Sequence, residues 1–120
     1  MFKLSENEWV VLCALWQGES FSLGEVFNEV NKSIAWSKNT VYTYLIRMQV
    51  KGLVAIDKAS KKPYSALVSK QECANEQCET LVNTVYDGSA SRLVSAFLKG
   101  TTITAQEKDE LLNLIENMEV

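Results

Sequence analysis

No histidine occurs anywhere in the 120 residues. That excludes the Ser–His and Cys–His nucleophile arrangements. No glycine-rich phosphate loop is present either, and the sequence holds five glycines and one proline in all. These gaps argue against an enzyme. Cysteine is scarce: Cys13, Cys73 and Cys78. Cys73 and Cys78 stand five apart, about 140° around a helix, and a structural zinc site needs four ligands. They read as ordinary reduced thiols, and Cys13, in an apolar helical run, reads as core. No metal or cofactor is expected. No apolar run approaches the ~20 residues that cross a bilayer, and the start lacks the pattern of a signal peptide. The expectation is a cytoplasmic protein without membrane insertion.

What is present centres on Trp36 to Val54. Ser37 can cap a helix by accepting an orphan N–H of the first turn. Trp36 and Val41 occupy the two hydrophobic-staple positions around it. Val41, Tyr44, Leu45 and Met48 then recur at three- and four-residue steps as one apolar stripe. Gly52 can take the left-handed conformation that ends a helix. The opposite face carries Asn39, Tyr42, Thr43, Ile46 and Arg47, with no carboxylate. Such a helix can lie in a DNA major groove without repelling phosphates.

Two helices precede it. Ser5 with Glu8, and Ser22 with Glu25, form capping boxes; Leu4 with Trp9, and Phe21 with Val26, form the staples. Trp9, Leu12, Cys13, Leu15 and Trp16 mark one buried side, and Leu23, Val26, Phe27 and Val30 the other. After the third helix, residues 53–57 read as a strand, 58–63 as a polar turn and 64–68 as a returning strand. Two short strands alone are marginal, so the hairpin must lean on the helices. The order helix, helix, helix, hairpin is that of a winged helix-turn-helix. Lys58, Lys61 and Lys62 sit in the turn, suited to DNA phosphates; charged residues on a solvated turn are the plainer explanation.

Beyond Val68 the chain reads as three helices, capped by Ser69 with Glu72, by Ser89, and by Thr104 with Glu107, and interrupted at Asp87-Gly88 and Gly100. Their apolar residues are too many for a solvated tail. They either pack on the first part or meet a second copy, and the second copy fits the twofold sites such modules bind. Net charge is −3. Residues 1–68 hold eight Lys/Arg against six Asp/Glu, and residues 69–120 four against nine. A mildly basic segment, with five basic residues between Arg47 and Lys62, thus precedes an acidic one.

The run Leu4 to Trp9, Leu15-Trp16, Trp36 to Val41 with Arg47, Lys51-Gly52-Leu53, and Tyr64 to Val68 together resemble the penicillinase-repressor family. That family contains the beta-lactamase and methicillin-resistance repressors and the copper-responsive operon repressors. The resemblance is densest over residues 4–68. It implies a homodimeric repressor in which the third helix reads operator bases and the wing touches the backbone. By position, Lys38, Asn39, Thr40, Tyr42, Thr43 and Arg47 fall on the recognition helix or its start. Asn39 stands where the antibiotic-resistance members commonly carry lysine, and Tyr42 where they often carry arginine. Asparagine pairs with adenine and arginine favours guanine, so their operator sequence does not transfer. In that branch a membrane sensor protease triggers cleavage between an asparagine and a phenylalanine; the matching pair here is Ala96-Phe97, without the asparagine. The Cys-x-Cys motifs of the copper branch are absent. Phe97 otherwise reads as a packed apolar helix residue.

The resulting expectation is a mainly α protein: a winged helix-turn-helix of three helices and a two-stranded wing over residues 1–68, then a three-helix dimerisation region over 69–120. It would bind a double-stranded DNA operator as a dimeric repressor. Asn39, Tyr42 and Thr43 would face bases, and Lys38, Thr40, Arg47, Lys58, Lys61 and Lys62 mostly phosphates. Arg47 could instead brace a carboxylate within the fold. The competing class is a winged helix used for protein–protein assembly, favoured by the acidic net charge.

Overall fold

The computed structural model describes residues 4–119; Lys3 and Val120 lie outside them. Chain order is α1 (Glu6–Leu15), α2 (Leu23–Val30), α3 (Lys38–Val50), β1 (Val54–Ile56), β2 (Tyr64–Ala66), α4 (Lys70–Val85), α5 (Ala90–Gly100) and α6 (Ala105–Glu116). Capping chemistry sets the starts. Ser5 Oγ accepts the Glu8 N–H at 3.2 Å while Glu8 Oε1 accepts the Ser5 N–H at 3.0 Å. Ser22 and Glu25 repeat the box at 3.2 and 2.9 Å, and Thr104 with Glu107 do so for α6. Each box satisfies two backbone donors that would otherwise lack partners. Gly52 ends α3 at φ +80°, the left-handed value that a side chain would strain.

Contacts divide the chain into two compact units, the first ending at Gln77 and the second beginning at Cys78. In the first unit α1, α2 and α3 enclose a core of Val11, Leu12, Leu15, Val26, Val30, Val41, Leu45 and Met48, each essentially inaccessible to water. The wing closes it. β1 and β2 pair antiparallel with Val54 opposite Ala66 and Ile56 opposite Tyr64. Phe21, just before α2, adds a bridge to Tyr64, exchanging N–H···O bonds of 2.8 and 3.0 Å. This third partner supports a hairpin too short to stand alone. The Trp16 indole N–H donates to the Val68 carbonyl at 2.9 Å and pins the strand exit to α1. The Lys51 ammonium holds the Glu8 carboxylate at 2.7 and 2.9 Å, tying the end of α3 to the start of α1.

The start of α4 belongs to this unit through Cys73, so the unit extends past the expected boundary at residue 68. Cys73 is the thiol in the core, and burial, with Glu72 and Glu76 adding to it, pushes its pKa up. Cys13, expected in the core, is only half-buried: its helix has turned Val11, Leu12, Ala14 and Leu15 inward instead.

The second unit comprises the rest of α4 with α5 and α6. None of its described residues is fully buried. Leu81, Val85, Val94, Phe97, Leu98, Leu111, Leu112, Leu114, Ile115 and Met118 are all exposed. Phe97 is therefore not packed within its own chain, contrary to the expectation; its side of α5 faces solvent and it is 62% exposed.

Candidate nucleic-acid interface

The start of α3 is fixed by Ser37, whose Oγ accepts the Thr40 N–H at 3.1 Å. The Ser37 and Thr40 hydroxyls also lie 2.9 Å apart, so Thr40 is half-buried and engaged in the cap. Val41, Leu45 and Met48 enter the core and turn the opposite side outward. On that side Lys38, Asn39, Tyr42, Thr43 and Arg47 are all exposed. Tyr42 is 44% exposed, an unusual position for an aromatic ring without a partner surface. Thr43 Oγ1 donates to the Asn39 carbonyl at 2.9 Å, which orients its methyl and hydroxyl on the helix surface. The Lys38 ammonium reaches back beside α2, 3.9 Å from where a side chain on Gly24 would begin.

The wing tip is a built turn. Asp57 Oδ1 accepts the Ala59 N–H and Ser60 Oγ accepts the Lys62 N–H, each at 3.1 Å. The Asp57 N–H donates to the Pro63 carbonyl at 2.8 Å and closes the loop. Lys58 and Lys61 extend from it into solvent and have no side-chain partner among the described residues. Lys62 differs. Its ammonium reaches Glu25 Oε2 at 3.4 Å and links the wing to α2. The Ser22 N–H, followed by Lys62, holds the Glu25 carboxyl below the usual carboxylate range. On the inner side of the hairpin, burial pushes the Tyr64 hydroxyl pKa up and Tyr42 adds to the shift, which places the α3 surface electrostatically beside the wing.

Arg47 makes no ion pair among the described residues, so it does not brace a carboxylate there. Its guanidinium carbon lies 5.2 Å from the centre of the Tyr44 ring. The Trp36 ring stacks on Tyr44 at 4.6 Å with planes 12° apart. Asn7 Nδ2 donates to the Tyr44 hydroxyl at 3.2 Å. Two residues with a bearing on this surface thus escaped the sequence reading. Tyr44 counted only as part of the apolar stripe, although its three-residue spacing from Arg47 places the two side by side on a helix. Glu25 counted only as half of a capping box.

Residues 4–117 match the penicillinase repressor family. The chain belongs to that family. Its relatives include the methicillin resistance regulatory protein MecI of Mammaliicoccus sciuri, 26% identical over 95% of this chain and 94% of that protein. The penicillinase repressor of Bacillus licheniformis is 25% identical over 95% of this chain and 90% of that one. Among solved structures, Bordetella bronchiseptica BpsR covers 97% of this chain and 76% of its own at 21% identity, with a TM-score of 0.48. Within the penicillinase repressor family this chain combines a carboxylate-free α3 surface with two extended wing lysines. No described helix is long and apolar enough to cross a membrane.

Proposed function

We propose that this chain is a transcriptional repressor that binds a double-stranded DNA operator as a homodimer and blocks promoter access. The observation that carries the reading is the outward face of α3. It presents amide, phenol, hydroxyl and guanidinium groups and no carboxylate, beside a wing tip with two extended lysines. In this reading Asn39, Tyr42 and Thr43 contact base edges, which carry sequence information, while Lys38, Arg47, Lys58 and Lys61 contact phosphates, which carry affinity. Thr40 contributes through the helix cap, with its backbone N–H already bonded to Ser37. Lys62 joins the phosphate set by exchanging Glu25 for DNA.

The exposed apolar residues of α5 and α6 supply the dimer interface. A twofold pairing would set two α3 helices about one duplex turn apart, or a multiple of it. For release, a membrane sensor protease acting at Ala96-Phe97 follows the antibiotic-resistance branch; both residues are exposed on α5.

Fluorescence anisotropy with a duplex carrying the promoter of the protein's own operon, against a scrambled duplex, tests the proposal. Preference for the promoter duplex supports it; equal or absent binding overturns it. Asn39→Ala should relax the preference at one base pair by about 1–3 kcal/mol and leave the others intact. Unchanged discrimination would remove Asn39 from the reading set.

A further inference from the structure

We infer that Tyr44 is a positioning residue for DNA binding: its ring, anchored by Trp36 and Asn7, holds the Arg47 guanidinium ready for a phosphate. The inference rests on the proposed repressor reading. Arg47 is exposed and long, and an unrestrained arginine loses much rotamer freedom when a contact fixes it. Here part of that ordering is present before DNA arrives, because the guanidinium already lies 5.2 Å from the Tyr44 ring centre. A ring attracts a guanidinium through its face, while the N–H donors point outward in the guanidinium plane. Stacking therefore orients the group without occupying the donors that a phosphate would use.

The ring is itself fixed from two directions. Trp36, in the turn before α3, stacks on it at 4.6 Å. Asn7, on α1, donates to its hydroxyl at 3.2 Å. Tyr44 is half-buried and Arg47 fully outside, so the arrangement passes from the packed part of the fold to the proposed interface within one helical turn. A leucine at residue 44 would fill the half-buried space and give the guanidinium no ring.

Four variants test this with the full-length chain: Tyr44→Leu, Tyr44→Phe, Arg47→Ala and the Tyr44→Leu/Arg47→Ala double. Binding to the promoter duplex is measured across a salt series, and thermal melting checks folding. Arg47→Ala should weaken binding and flatten the salt slope by about 0.9, the value for one lost phosphate contact. Tyr44→Leu should weaken binding about two- to fivefold, the strength of an exposed cation–π contact. Tyr44→Phe should bind nearly as the unsubstituted protein, and the double variant no worse than Arg47→Ala alone. NMR without DNA should show the Arg47 δ-protons shifted upfield by the ring current, a shift kept in Tyr44→Phe and lost in Tyr44→Leu. The inference is overturned by an equal loss on adding Tyr44→Leu to Arg47→Ala, by an unchanged Arg47→Ala, or by an absent ring-current shift. The last reads the stack without DNA. Failure of the unsubstituted protein to bind any duplex overturns the repressor reading, and this inference with it.

Discussion

Replacing Phe97 by alanine probes the dimer most directly. In one protomer the Phe97 side chain is 62% exposed. A large aromatic side chain buries about 150–250 Å², so roughly 90–150 Å² per subunit is left for a second copy to cover. At about 25 cal/mol per Å² that corresponds to about 2–4 kcal/mol per side chain. A twofold interface uses every residue twice, which would double the figure if both rings were fully covered. Alanine retains part of the apolar area, and an interface side chain is seldom wholly enclosed. A loss of about 3 kcal/mol remains, roughly a hundredfold in the dimer dissociation constant. Sedimentation velocity over a dilution series measures it, with far-UV circular dichroism showing that the helices persist. Operator titrations should steepen, because monomers would then assemble on the DNA. A dissociation constant within about twofold of the unsubstituted protein would place Phe97 outside the interface and refute the estimate.

Three further outcomes follow from the same geometry. Lys58→Ala and Lys61→Ala should each flatten the salt slope of DNA binding by about 0.9, whereas Lys62→Ala should flatten it less, because Glu25 already holds that ammonium; equal slopes for all three would show that the Glu25 pair has no hold on Lys62 in solution. Burial raises the Glu8 pKa, but Lys51 and Ser5 outweigh it and hold the carboxyl below its usual 4.5. That pair therefore contributes its full stability above the unfolded carboxylate pKa and loses it as pH falls through the lower folded value; Lys51→Met should make the melting temperature less acid-sensitive over that window. Ser22→Ala should cost about 1 kcal/mol in denaturant unfolding by removing the cap of α2, and a loss under about 0.3 kcal/mol would argue that the cap is dispensable.

The secondary structure was legible because its signals are local. Each of the four Ser/Thr-x-x-Glu pairs found in the sequence caps a helix at the expected residue. Gly52 stops α3, and Asp87 and Gly88 both take positive φ where a break was expected. The three- and four-residue spacing identified Val41, Leu45 and Met48 as the buried stripe. What the sequence could not supply were partners brought together by folding. Glu8 and Lys51 are 43 residues apart, and Glu25 and Lys62 are 37 apart. Trp36 illustrates the limit: its position promised a staple with Val41, yet its ring stacks on Tyr44. Periodicity names a helix face but not the neighbour that an aromatic ring at the margin of that face will choose. Phe97 failed differently. An apolar residue at helical spacing announces burial, and the same pattern serves an interior or an interface.

The distribution of these ties bears on how the surface would work. α3 is held by fully buried Val41, Leu45 and Met48, and its end is clamped by the mostly buried Glu8 carboxylate. Shifting it would disturb close-packed contacts and a charge-assisted pair, each worth more than a kilocalorie or so. The wing is attached more lightly. Its tip turn is made of exposed hydrogen bonds, and its ion pair to α2 spans 3.4 Å with both partners about half exposed. Exposed pairs of this kind contribute about 0–1 kcal/mol, so the tip can adjust by small amounts at little cost. The two halves of the proposed site therefore differ in stiffness in the sense their roles require. Base-edge hydrogen bonds tolerate little misplacement and sit on the rigid element, whereas phosphate contacts act over longer range and sit on the compliant one.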